Sequence, residues 1–70
     1  MNEVLSFISS ENCSIGYKPE LFGYFKMKVS LWDEQKEEIV KQYEVVLPYD
    51  HMTDIKLMKY AKHAVEELKK

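Results

Sequence analysis

The sequence predicts a small α+β domain of order α-β-β-β-α, a three-stranded antiparallel sheet with the C-terminal amphipathic helix packed on one face. Three observations carry that prediction. Apolar and polar residues alternate over two segments, 24–32 and 38–47, which is the period of half-buried strands. From 55 to 68 the apolar residues recur instead at helical spacing. The chain of 70 residues has no repeat, low-complexity tract or linker, so all of it, 1–70, reads as one domain.

The N-terminal segment places Val4, Leu5 and Ile8 on one helical face, and Asn2 is a residue type that caps helix starts. A short helix is the reading adopted, although Ser6 and Phe7 fit a strand as well. Residues 12–18 offer a strand, joined to the next by a turn that Pro19 and Gly23 mark.

In the strand 24–32, Phe25, Met27, Val29 and Leu31 share one face, and Lys26, Lys28 and Ser30 the other. In the strand 38–47, Ile39, Tyr43, Val45 and Leu47 share a face on which Lys41 is the only polar residue. Opposing Leu31 to Ile39 leaves Asp33–Glu37 as a five-residue charged loop. That register sets Met27 against Tyr43 and Phe25 against Val45 inside, and Lys26 against Glu44 and Tyr24 against Val46 outside. Each such pair contributes roughly 0.2 to 1 kcal/mol. A slip of one residue would oppose Phe25 to Glu44 and send every side chain to the wrong face.

Pro48 cannot donate to a sheet ladder and ends the strand, after which Asp50 or Thr53 can cap a helix. The helix is expected to bury Ile55, Met58, Ala61, Val65 and Leu68, with Leu57 and Ala64 widening the stripe. Lys56, Lys59, His63, Glu66, Glu67 and Lys70 face out. Lys69 and Lys70 stand where cations suit the helix dipole.

A chain this short buries only about 60% of its unfolded surface, so domains of this size often add disulfides, a metal or a second subunit. Cys13 is the only cysteine, which removes an internal disulfide and a cysteine-rich zinc site. A second copy of the chain remains an open partner. No stretch has the roughly 20 apolar residues of a membrane span, and Met1-Asn2-Glu3-Val4 lacks the basic start of a secretory signal, so a reducing cytoplasm is the expected location and no membrane partner is expected.

Ten cations against twelve carboxylates provide no global field for nucleic acid. All ten are lysines, which an AT-rich coding sequence favours, and the absence of arginine removes the commonest reader of guanine edges. His51 and His63 are separated by about 18 Å of helix at 1.5 Å per residue and cannot share an ion. Cys13 has no signature of a catalytic thiol around it, and Gly16 and Gly23 are too few for a phosphate cradle. No catalytic, cofactor-binding or metal-ligating residue is therefore expected, and no cofactor.

Two surfaces remain. Tyr24, Lys26, Lys28, Trp32 and Val46 lie on the outward face of the hairpin, beside an acidic tip of Asp33, Glu34, Glu37 and Glu38. Either the N-terminal segment half covers this face or it meets a partner. Lys56, Lys59, Lys62 and His63 form a positive strip on the helix, the alternative, nucleic-acid-binding surface. With the strip, the α-β-β-β-α order and the run Met58-Lys59-Tyr60-Ala61-Lys62, the chain resembles the double-stranded RNA-binding domain in topology. That resemblance implies phosphate contacts from the last helix. It departs from the family at Pro48–Met52, where a bulky, partly acidic turn replaces small residues.

The expectation is thus a non-enzymatic adaptor or modulator binding another protein through the outer sheet face and acidic tip. Its size, lysine bias and lack of motifs resemble small accessory proteins of phages and mobile elements.

Overall fold

The computed structural model describes residues 2–70, with side chains from Glu3 onward. Its elements are α1 (Asn2–Ser10), β1 (Cys13–Pro19), a 3-10 turn (Leu21–Gly23), β2 (Tyr24–Asp33), β3 (Glu38–Pro48), a second 3-10 turn (Tyr49–His51) and α2 (Asp54–Leu68). The strands form one antiparallel sheet in the order β1-β2-β3, so the expected α+β architecture is the one found. The Asn2 cap lies outside the described side chains.

Both helices pack on the same face of the sheet. Val4 and Ile8 of α1, Cys13 of β1, Phe25, Met27 and Val29 of β2, Leu47 of β3, and Leu57, Ala61, Ala64, Val65 and Leu68 of α2 make one buried cluster. Alternation puts the odd residues of β2 into it, as expected. Small residues at 61 and 64 let α2 approach the sheet closely.

Thr53 caps α2, its Oγ1 accepting from the Lys56 amide at 3.4 Å. The buried stripe is centred on Leu57, and Ile55 is 86% exposed, against expectation. Positions two apart on a helix are about 200° apart, so Leu57 and Ile55 cannot both face the core. The set 57, 61, 64, 65 and 68 is the narrower and consistent stripe.

The hairpin register also differs from expectation. Phe25 opposes Leu47, Met27 opposes Val45 and Lys28 opposes Glu44, a shift of two residues that keeps every one of these side chains on its expected face. One residue of the shift arises between Leu31 and Trp32, where Leu31 opposes Lys41 but Trp32 opposes Ile39, and the other at the loop, where Asp33 already opposes Glu38. Val40 is the extra residue of a β-bulge. Beyond it Ile39 changes sides and stands opposite Trp32, 47% exposed, where the unbulged pattern places it inside.

The loop is correspondingly shorter, Glu34–Glu37, and turns without glycine. Asp33 Oδ1 accepts from the Gln35 and Lys36 amides at 2.9 and 3.2 Å, and Glu37 takes the left-handed conformation at φ +54°. Lys41, the polar residue on the inner face, reaches the end of α2, where its ammonium donates to the Lys70 carbonyl at 3.0 Å. Lys69 pairs with Glu11 in the turn after α1, so the end of α2 is tied both to β3 and to that turn.

Candidate interaction surface

Because α1 and α2 share the inner face, no element of the described chain lies over the outer one. The N-terminal segment therefore does not half cover that face, which corrects one of the two sequence-based alternatives. The pleat of β2 directs Tyr24, Lys26, Lys28, Ser30 and Trp32 outward, and pairing aligns them in rows with β1 and β3: Lys18–Lys26–Val46, Gly16–Lys28–Glu44 and Ser14–Ser30–Gln42. Tyr24 and Trp32 are each 44% exposed and Val46 53%. Lys26 and Lys28 are half-buried by their neighbours.

Tyr24, Lys26, Lys28, Trp32 and Val46 are thus brought onto one surface, and Asp33, Glu34 and Glu37 stand at its hairpin end. Their roles divide. Asp33 is spent on the turn amides, whereas Glu34 and Glu37 are exposed carboxylates. Lys26 lies 3.5 Å from Glu20 and 3.6 Å from Glu44, which neutralises much of its field. Among the described residues Lys18 and Lys28 have no carboxylate at ion-pair distance. The lysine half of the face is therefore basic and the tip acidic.

Sequence periodicity puts Val40 on this face but misses three contributors. Ile39 joins the outer face because of the bulge, and no residue type announces a bulge there. Leu21 and Phe22 project from the turn at the opposite end, Phe22 being 92% exposed with φ +59°. A bulky residue in that conformation is uncommon and strained, and the neighbouring Gly23 was its only signal.

Gly16 leaves an open depression of about 300 Å³ bounded by Lys18, Lys26, Lys28 and Glu44. A Cβ built on Gly16 meets no atom within 4 Å, and its φ is not in the left-handed region. Neither backbone conformation nor crowding requires glycine at this position, so the notch is a property of the surface alone.

The other candidate strip lies on the far side of the molecule. Lys56, Lys59, Lys62 and His63 are all exposed on α2, with His63 at the margin that meets β3. The His63 ring stands edge-on to Tyr43 at 5.9 Å and near Glu67, while His51 Nδ1 meets the Tyr60 hydroxyl at 3.1 Å. The two histidines hold separate local contacts, and no three metal-ligating side chains converge among the described residues. Burial pushes the Cys13 thiol up and the Tyr17 phenol up, so neither is ionised at neutral pH. No helix among the described residues is long and apolar enough to cross a membrane.

Comparison with protein families, curated proteins and solved structures finds no match to this chain.

Proposed function

We propose that the chain is a non-enzymatic protein-interaction module that binds through the outer face of its sheet and the adjoining acidic tip. The observation that carries this is an uncovered sheet face on which Tyr24, Trp32, Ile39, Val40 and Val46 all keep 39% or more of their surface in water. A face needed only for solubility is populated by polar side chains, and large apolar residues grouped on one surface mark a contact. Trp32 and Tyr24 are residue types that anchor interfaces, and the acidic tip gives the contact an electrostatic sense.

The test is capture of a partner from the native host by immobilised chain. Trp32→Ala and the double change Glu34→Lys/Glu37→Lys should each lose the partner, with circular dichroism unchanged, while Lys59→Glu on the far helix retains it. Asp33 is left intact because it builds the turn. A partner set that none of the outer-face changes alters would overturn the proposal.

The exposure of Lys56, Lys59, Lys62 and His63 supports a second reading, phosphate contacts of a nucleic-acid-binding module. It requires binding to a labelled RNA duplex or single strand at about 50 mM salt that weakens steeply as salt rises. Absence of binding at low salt ends it.

A further inference from the structure

We infer that the outer face takes a second copy of this chain, the two sheets stacked face to face with their β2 strands running in opposite senses. The inference rests on reading that face as an interface and names its occupant. It follows from how the face is arranged along the strand direction. Lysines 18, 26 and 28 outnumber Glu20 and Glu44 in one half and the carboxylates of the tip dominate the other, so a copy stacked with reversed strands sets each net-basic half against an acidic one.

The central row allows the symmetry. In an isologous two-fold contact, residues on the axis meet themselves, and a charged row there would oppose like charges. The row Ser14–Ser30–Gln42 carries no charge, and Ser30 is small and buried. Rotation about that row places each β2 position as far to one side of Ser30 as its counterpart lies to the other. Lys26 then meets Glu34 of the second copy. Trp32 meets the row Gly16–Lys28–Glu44, whose floor is the notch left by Gly16. The indole enters a depression that has room for it, with the Lys28 ammonium, unpaired within its own chain, beside the ring face.

The size is sufficient. At about 3.3 Å per residue β2 is roughly 33 Å long, and three strands with their side chains are roughly 18 Å wide, near the ~600 Å² per partner at the lower end of specific interfaces. A chain with one cysteine and no convergent metal ligands among its described residues gains from a second subunit the burial it otherwise lacks.

Sedimentation equilibrium from low to several hundred micromolar tests this on the whole chain. The wild type should reach twice the 8.4 kDa of one chain. Gly16→Leu fills the notch from open space, so it should leave the fold and its thermal midpoint intact or raised while weakening dimerisation about tenfold or more. Trp32→Ala should weaken it similarly, and carbodiimide should join Lys26 of an isotope-labelled copy to Glu34 of an unlabelled one. A wild type that stays monomeric throughout overturns the inference, as does a dimer that survives both Gly16→Leu and Trp32→Ala, which would place the contact at the β3 edge. A monomer whose captured foreign partner is lost in Trp32→Ala sinks the dimer and keeps the interaction face. A monomer whose partners ignore Trp32 sinks both.

Discussion

Along β2, residues one position apart meet opposite surroundings. Phe25, Met27 and Val29 are sealed beneath two helices, with 1% or less of their surface in water, while Tyr24, Lys26, Lys28 and Trp32 alternate with them on a face that nothing in the described chain covers. Both faces carry large apolar residues. Only the inner set has a partner that explains it. Burial of the inner residues at about 25 cal/mol per Å² supplies folding free energy, whereas the outer apolar residues leave much of that gain unrealised. Their presence separates what folding requires of this sheet from what the surface is used for.

The sharpest way to break that separation is to disturb each face with matched chemistry. Leu57→Ala, which empties space beneath the sheet, should cost about 2 to 5 kcal/mol by chemical denaturation, a large share of the stability of so short a chain. Valine to threonine then compares the faces directly. Val29→Thr buries a hydroxyl without a partner and should cost about 1 to 3 kcal/mol, while Val46→Thr, half in water, should change dilute-monomer stability by less than about 0.5 kcal/mol. Equal losses at 29 and 46 would mean that the outer face is covered after all.

A smaller effect, of opposite sign, is expected at the end of the outer face. Phe22 holds a left-handed backbone while contributing almost no burial, so Phe22→Asn should stabilise the fold by about 0.5 to 1 kcal/mol. If it also weakens partner binding, the strain is retained for the contact. Destabilisation would show that the phenyl ring packs against the chain.

Cys13 sharpens the inner side of the comparison without altering it. The residue is 8% exposed and its thiol is raised above its ordinary pKa chiefly by burial, with the Lys69 ammonium opposing and Glu11 adding. Alkylation at pH 8 should therefore be slow in the folded chain and should accelerate in parallel with unfolding, as followed by mass spectrometry. Least of all should pH matter at the exposed pair Glu67–Lys70. The hydrogen bond from Lys70 holds the Glu67 carboxyl below its usual range, so its small stabilisation is present above that range and is lost as pH falls. A Tm titration should therefore put wild type slightly above Glu67→Gln at neutral pH, with the two curves converging in acid as Glu67 is protonated.

What the sequence disclosed follows the physics of each signal. The period-two alternation of β2 and β3 was legible because one face must be buried, and it identified Phe25, Met27, Val29 and Leu47 on one side and Tyr24, Lys26, Lys28, Trp32 and Val46 on the other. The pairing was less legible. Parity fixes faces, yet a shift of two residues preserves parity, and neither the bulge at Val40 nor the shorter loop, each of which contributes one residue of it, leaves a mark in residue type. For the same reason Ile39 was assigned to the wrong side. On α2 a count of apolar residues drew Ile55 into the stripe, which the angular spacing of a helix excludes. The Gly16 notch could not be read at all, since its meaning lies in having nothing near it.

The bond from Lys41 to the Lys70 carbonyl marks where cover stops. From Lys41 to Pro48 the strand runs about 23 Å, and the 15 residues of α2 span about 22 Å, so the helix roofs that stretch and no more. Past Lys41 the hairpin is a cantilever, with Glu38, Ile39 and Val40 wet on both sides. Amide hydrogen exchange should accordingly rise in a gradient from Leu47 toward the tip, because the outer rungs can open without lifting the helix. If exchange rises in that way, the acidic tip rides on the least anchored end of the sheet while the lysine half of the same face stays fixed by the helix beneath it.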